Sequence, residues 1–149
     1  MKQRIDIIAT QPEAYKAMSA LESYLKNSAL SAIHKELIII RASQINGCAF
    51  CINMHTADAR KAGETEQRIY LLNAWRETDL FTEEEKAILA LTEEVTLIQN
   101  HVSDATYERA AALFDETYLS QIIMAIVTIN AWNRLAITGR KALPKASQD

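Results

Sequence analysis

Glycine and proline are scarce in this chain, with three and two respectively among 149 residues. Both residues are typical of the tight turns that β-rich folds need, because glycine reaches backbone conformations that other residues avoid and proline fixes φ. A chain with so few of them can make only a small number of sharp reversals. The scarcity therefore predicts an all-α fold, built from long helices joined by few connections.

Helix start and stop signals divide the chain into about six to seven helices with essentially no strand. We predict helices from Pro12 to about Lys26, from Ala29 or Leu30 to Gln44, from Cys48 to before Gly63, from Thr65 to Ala74, from Thr82 to about Ile98, from Ser103 to about Phe114, and from Tyr118 or Ser120 to before Gly139. No repeat, low-complexity tract or linker interrupts them. We therefore expect residues 1–149 to form a single domain, with a short frayed tail from Pro144 onward.

Two of the predicted helices are apolar around their whole circumference. The run from Leu37 to Ile40 points in every direction around its helix axis, and so do the apolar residues between Ile122 and Trp132. A chain of this length has limited room to enclose two such helices. We therefore expect a homo-oligomer, whose subunit interface would cover the surplus apolar surface.

Charge and hydropathy indicate which classes of partner and which cellular compartment are expected for this protein. The formal net charge is −3 and the basic residues are scattered, so no nucleic-acid partner is predicted. The apolar stretch from Ile5 to Ala9 is interrupted by Asp6 and is too short for a signal peptide. The stretch from Ile122 to Ala131 falls short of a bilayer span, so no membrane partner is predicted. These features favour a cytoplasmic protein, in which two cysteines three residues apart are more typical of catalysis or metal binding than of a structural disulfide.

The segment from Cys48 to His55 concentrates the reactive side chains of the chain. On a helix, Cys48, Cys51 and His55 fall within an arc of about 60° and can meet at one spot. Asn46-Gly47 ends the preceding helix, so both cysteines are expected in the first turn of the next. Free backbone N–H groups and the positive end of the helix dipole stabilise a thiolate there. The spacing allows a disulfide between the cysteines and proton exchange between Cys51 and His55.

Glu36 is the candidate proton carrier that would work with this segment. It lies twelve residues before Cys48, at the edge of the apolar arc of the second predicted helix, beside Ile33 and Ile40. A carboxylate at such an edge is partly desolvated, which suits a group that exchanges protons. Glu36 would meet His55 if the two helices pack antiparallel.

The same residues leave two non-catalytic interpretations open. In the first interpretation the cluster binds zinc, with Cys48, Cys51 and His55 as three ligands from one helix. The fourth ligand would be Glu36, His34 or His101. Structural zinc sites usually draw their ligands from separate segments instead of one or two helical turns. Alternatively, the cysteine pair could act as a redox sensor that forms a disulfide without sustained turnover.

The region from Glu36 to His55 resembles the active-site signature of a known family. Glu36, followed by the run Ile45-Asn46-Gly47-Cys48-Ala49-Phe50-Cys51-Ile52-Asn53-Met54-His55, is similar to that of the AhpD-like alkylhydroperoxidases. These proteins belong to the carboxymuconolactone decarboxylase superfamily. The resemblance implies an AhpD-like helical bundle that assembles as a trimer or a hexamer.

The resemblance also implies a thiol-dependent peroxidase. Cys51 would be the peroxidatic thiol that a hydroperoxide oxidises to sulfenic acid, and Cys48 the resolving thiol that condenses with it to a disulfide. His55 and Glu36 would form the proton relay that activates Cys51. The implied partners are a small-molecule hydroperoxide and a dithiol or thiol-protein reductant, with no cofactor and no metal.

One position departs from the family pattern. Phe50 stands where the best-characterised peroxidases of the family carry a second histidine that assists the relay. Phenylalanine cannot transfer a proton, so that assistance and the lipoamide-linked reductant of those enzymes are not carried over. The decarboxylases of the superfamily generally lack the cysteine pair, and decarboxylation is therefore disfavoured.

Overall fold

The computed structural model describes residues 2–144, and within that range the chain is helical and contains no strand. The eight α-helices cover Ile7–Thr10 (α1), Pro12–Lys26 (α2), Ala32–Asn46 (α3), Ala49–Lys61 (α4), Glu66–Leu71 (α5), Glu83–Thr96 (α6), Asp104–Leu113 (α7) and Glu116–Gly139 (α8). Two 3-10 helices, Leu72–Glu77 and Ile98–Asn100, lie between them. The predicted all-α fold is confirmed.

Capping side chains explain where two helix starts differ from the prediction. α3 begins later than expected because the Ser31 hydroxyl accepts the His34 N–H at 3.1 Å and so defines the first turn. α8 begins earlier because the Asp115 carboxylate accepts the Tyr118 N–H at 2.8 Å. Such side-chain acceptors satisfy backbone donors that would otherwise lack a partner.

Two further differences involve short elements. Helix α1 was not predicted, because its four residues are too few to show a periodic pattern. The Asp6 carboxylate holds this helix by accepting the N–H groups of Ile8 and Ala9. The fourth predicted helix is divided into α5 and a 3-10 helix, in which Ala74 has non-helical dihedral angles. Apart from Pro144 itself, the predicted C-terminal tail lies outside the described residues.

Helix α3 is the central element, and its all-round apolarity has a direct structural reason. Ile38 and Ile39 belong to one buried cluster, which includes residues of α8. Leu37 and Ile40 belong to a second cluster, which includes residues of α5, α6 and the first 3-10 helix. Helices α4, α6 and α8 all pack against α3. A helix buried between two clusters needs apolar residues on opposite faces, as the sequence predicted.

Helix α8 is buried on one side and open on the other. Ile122 and Ile126 are fully buried, whereas Val127 and Ile137 are 47% and 43% exposed. By length and composition alone, α8 would qualify as a membrane-spanning helix, and 44% of its most apolar window is buried within the protein. The exposed apolar side chains are consistent with a subunit interface, which stays a prediction.

Glu93 links three elements on the side of the protein formed by α3, α6 and the first 3-10 helix. Its Oε1 accepts from Arg41 Nε at 2.7 Å and from Trp75 Nε1 at 2.9 Å, and its Oε2 accepts from Arg76. Burial by itself would raise the pKa of Glu93, but the three hydrogen bonds outweigh it and lower the pKa below its ordinary value of 4.5. The ionised form is therefore the one that stabilises the fold.

Replacing Glu93 by Gln tests this contribution. Because the folded-state pKa of Glu93 is lowered, its stabilisation is complete above pH 4.5 and is lost as the pH falls through the folded value. We expect the free energy of unfolding at pH 7 to drop by about 1–3 kcal/mol, and the difference from the wild type to shrink in acid. Urea denaturation from pH 7 into the acid range measures the free energy of unfolding of both proteins, and the substitution of the exposed Glu77 by Gln serves as the control. A difference that stays constant from pH 7 into the acid range would contradict the assignment.

Candidate active site

A left-handed residue at the end of α3 reverses the chain ahead of the cysteines. Gly47 has φ +70°, and a Cβ at this position would meet nothing within 4 Å, so the backbone conformation and not lack of space favours glycine. The Cys48 N–H donates to the Ser43 carbonyl at 2.9 Å, and the Gly47 N–H to the Gln44 carbonyl at 3.3 Å. This pattern is a Schellman motif, and it delivers Cys48 directly to the start of α4.

The cysteine pair occupies the N-terminus of α4. Cys48 is the N-cap residue of α4 and so lies just before the first turn. The sequence-based prediction, which placed Cys48 inside the first turn, is wrong on this point. Its Sγ accepts the Cys51 N–H at 3.4 Å, and the two cysteines form a disulfide with Cα atoms 5.4 Å apart. Both are buried, with 1% and 4% of their surface exposed. The Cys51 N–H of this helix end faces the Cys48 sulfur, and a helix N-terminus is an environment that stabilises a thiolate.

The structure brings Glu36 and His55 into contact. Helices α3 and α4 pack against each other, and Glu36 Oε2 lies 2.8 Å from His55 Nδ1. Lys35 Nζ lies 3.5 Å from Glu36 Oε1 and places a positive charge beside the carboxyl group. With Nδ1 hydrogen-bonded to an ionised Glu36, the Nδ1–H tautomer is favoured and Nε2 keeps its lone pair. His55 can then accept a proton from a neighbouring group through Nε2.

A cavity of about 800 Å³ gives access to these residues. Cys51, His55 and Glu36 line it, whereas Cys48 does not. Its walls come mainly from α2, α3, α4 and α8 and are largely apolar, with Leu25, Ile39, Phe50, Met54, Ile129 and Trp132 among the lining residues. A molecule in the cavity would therefore reach Cys51 and the imidazole together, with Cys48 behind them.

Phe50 forms part of this wall, and the ammonium group of a lysine lies over its ring. Lys141 Nζ lies 4.2 Å from the centroid of the Phe50 ring, in a cation–π contact. Both residues line the cavity. The segment after α8 therefore supplies the positive charge next to the position that departs from the family pattern. No spacing in the sequence connects residues so far apart.

The two histidines considered as extra zinc ligands lie outside the cavity. His34 Nδ1 is 2.8 Å from the Tyr118 hydroxyl, and burial lowers the pKa of His34, opposed in part by the charges of Glu85 and Glu84. His101 is exposed, with φ 62°. Within residues 2–144, no group of three or more His, Cys, Asp or Glu side chains is placed to hold a metal ion.

A buried polar cluster behind the cysteines was not recognised from the sequence as part of the site. It joins the end of α3 to α6 and α8 and consists of Ser43, Asn46, Thr96, Asn130 and Asn133. We call it the amide cluster. The signal that could have revealed it is the presence of two asparagines on an otherwise apolar stretch of α8, since buried polar groups need partners.

One relative is similar to this chain in sequence, and a second is similar in both sequence and structure. The protein YdfG of Bacillus subtilis strain 168, which is uncharacterised, is 48% identical over 147 residues, covering 97% of this chain and 100% of that protein. A crystal structure from Agrobacterium tumefaciens, of a protein of unknown function described as a candidate antioxidant defence protein AhpD, superimposes with a TM-score of 0.93 at 42% identity. That match covers 96% of this chain and 99% of the other.

A more distant structure shares the fold. It is an alkylhydroperoxidase AhpD core from Ralstonia eutropha JMP134, an uncharacterised peroxidase-related protein, with a TM-score of 0.81 at 20% identity. The match covers 93% of this chain and 74% of that one. The helical architecture, the cysteine pair at a helix N-terminus and the 42% identity to the Agrobacterium protein together define an AhpD-like protein. The model of the Carboxymuconolactone decarboxylase family matches residues 12–94, and the chain belongs to that family.

The position of the cysteines predicts unequal reactivity once the disulfide is reduced. Cys51 lines the cavity and Cys48 lies behind it, so a limiting amount of iodoacetamide should modify Cys51 first. We expect Cys51 to react about tenfold faster or more, because accessibility and thiolate character control alkylation. Peptide mass mapping measures the order, with Cys48→Ser and Cys51→Ser as matched variants. Equal labelling of both residues at early times would contradict it.

Proposed function

We propose that the protein is a thiol-dependent peroxidase that reduces organic hydroperoxides through Cys51 and Cys48. The observation that carries the proposal is the shared cavity wall. Cys51 and the Glu36–His55 pair face the same cavity, while Cys48 lies out of it and within disulfide distance of Cys51. This arrangement separates the sulfur that meets a substrate from the sulfur that completes the cycle. The family membership and the antioxidant description of the Agrobacterium relative agree with it.

The chemistry proceeds in two steps from the reduced protein. The Cys51 thiolate attacks the terminal oxygen of the hydroperoxide, the O–O bond breaks, and the alcohol leaves with one proton while Cys51 becomes a sulfenic acid. The Cys48 thiol then attacks the Cys51 sulfur, and water leaves as the disulfide forms. A dithiol reductant restores both thiols and is itself oxidised to a disulfide.

Glu36 and His55 supply the protons that these steps move. His55 accepts the Cys51 proton through Nε2, directly or through a water, and returns it to the leaving alkoxide. Glu36 orients the imidazole through Nδ1 and stabilises the imidazolium that forms in between. Phe50 adds no second proton carrier, so this pair serves as the relay. The adjacent Lys141 contributes positive charge to the cavity.

The lining of the cavity supports an organic substrate. Its volume of about 800 Å³ and apolar walls suit a hydroperoxide on a hydrocarbon body better than hydrogen peroxide. The reductant is a dithiol or a thiol protein that reaches Cys51 by the same route. We further propose a cytoplasmic homo-oligomer, a trimer or a hexamer, in which the exposed apolar residues of α8 form part of the subunit contact.

Oxidation of the reduced protein by one equivalent of cumene hydroperoxide tests the cycle. We expect both thiols to disappear with a mass loss of about 2 Da, and a dithiol to restore them. Cys51→Ser should not react, and Cys48→Ser should stop after one turnover with Cys51 trapped as sulfenic acid. Thiol titration and intact mass spectrometry follow the reaction in the wild type and in the two variants. Retention of both thiols in the wild type would contradict the proposal, and a disulfide without sustained turnover with any dithiol would favour a redox sensor.

Replacing Glu36 by Gln tests the relay. We expect the rate of Cys51 oxidation to fall by about 10² or more, because general acid–base groups contribute factors of about 10²–10⁴. His55→Asn should have a similar effect, and the double variant should lose little more, since the two residues act as a unit. Glu85→Gln removes another buried carboxylate, paired with Arg68 away from the cavity, and serves as the matched control. An unchanged oxidation rate in Glu36→Gln would show that no relay operates.

A further inference from the structure

The amide cluster ties the last turn of α3 to two other helices. Asn46 Nδ2 donates to Asn130 Oδ1 and to Asn133 Oδ1, both at 2.9 Å. Asn133 Nδ2 donates to Ser43 Oγ at 3.0 Å, and Asn130 Nδ2 donates to Thr96 Oγ1 at 3.0 Å. The two asparagines of α8 thereby hold both Ser43 and Asn46, the residues that flank the final turn before Gly47.

Four of the five residues of the amide cluster are deeply buried, the exception being Asn46. Ser43 and Asn133 have no exposed surface, and Asn130 and Thr96 are 8% and 5% exposed. None of the side-chain atoms of the cluster remains buried without a hydrogen-bond partner among the described residues. Apolar side chains of the same volume would stabilise a core at least as well, because a buried polar network gains little net free energy. What a fully satisfied network provides is a single allowed geometry.

That geometry is transmitted to Cys48 through the backbone. The Ser43 carbonyl accepts the Cys48 N–H at 2.9 Å, so the residue whose hydroxyl Asn133 holds also holds the N-cap cysteine. Asn46 precedes Gly47 and Cys48 directly in the chain. Cys48 is therefore positioned from α8, while Cys51 is positioned by α4.

We propose that Asn46 and Asn133 are positioning residues that hold Cys48 against Cys51. The proposal rests on the disulfide cycle proposed above for its biological role, but it concerns the thiol–disulfide equilibrium itself. The equilibrium constant for disulfide formation is proportional to the effective concentration of one thiol at the other, which depends on how closely the turn is held. Loosening the turn lowers that concentration without altering the surroundings of Cys51.

The expected result in Asn133→Ala and Asn46→Ala is a less stable disulfide. We expect the equilibrium constant against a dithiothreitol buffer to fall about tenfold, which raises the reduction potential by about 30 mV. Condensation of Cys48 with the Cys51 sulfenic acid should slow to a similar extent. The rate at which cumene hydroperoxide oxidises Cys51, measured in a Cys48→Ser background, should stay within about twofold.

Changing the side-chain amide of Asn46, which is the hydrogen-bond donor, provides a sharper test than removing it. Asn46 acts as a donor to two carbonyl oxygens, so Asn46→Asp replaces a double donor by an acceptor and should perturb the equilibrium at least as much as Asn46→Ala. Thr92→Val removes a buried hydroxyl of α6 that donates only to the Ile88 carbonyl. It should lower stability while leaving the disulfide equilibrium unchanged. Asn46 is only half-buried, so its variants carry the test if Asn133→Ala does not fold.

Two outcomes decide the matter. If the Asn46 variants keep the wild-type equilibrium and lose only stability, as Thr92→Val does, the amide cluster is structural and the proposal is overturned. A shift in the Asn variants that is absent from Thr92→Val supports it. Because the equilibrium is measured with a dithiol and no peroxide, this result holds even if the wild type fails to reduce hydroperoxides, and the two proposals can fail separately.

Discussion

The contact between α3 and α4 is the interaction on which the rest of the site depends. A left-handed glycine ends α3 and reverses the chain, so α4 packs back along the helix that precedes it. That reversal places the cysteines at a helix N-terminus and brings Glu36 within 2.8 Å of His55. The dipole of α4 and the carboxylate of α3 thus act on one short segment, although Glu36 and His55 are 19 positions apart in the chain.

Burying α3 has an electrostatic consequence that shapes the site. A carboxylate enclosed by apolar side chains is costly unless it has charged or hydrogen-bonding partners. Glu36 has both, in His55 and Lys35. Glu93, which links α3, α6 and the first 3-10 helix, is satisfied by two arginines and a tryptophan and does not line the cavity. The hydrogen bonds of Glu93 are therefore separate from the Glu36–His55 pair in the cavity wall.

Local sequence signals predicted most of the secondary structure and the reactive segment. The scarcity of glycine and proline indicated helices, Thr82 and Ser103 marked helix starts correctly, and the apolar run of α3 predicted its enclosure. The predictions failed where a single capping side chain moved a boundary and at α1, which is too short to have periodicity. They also failed where the fourth predicted helix divides into α5 and a 3-10 helix. The spacing of the cysteines and His55 identified the segment because helix geometry alone determines which of its residues share a face.

Tertiary packing decided what lies around that segment. The sequence by itself determined that Cys48, Cys51 and His55 lie close together on one short helical segment, because these relations span less than three turns. It could not show that Lys141 covers Phe50, that only one cysteine faces the cavity, or that asparagines of α8 hold the end of α3. Those relations join residues far apart in the chain. They follow from how α2, α3, α4 and α8 pack, which depends on the whole set of buried contacts and not on any local pattern.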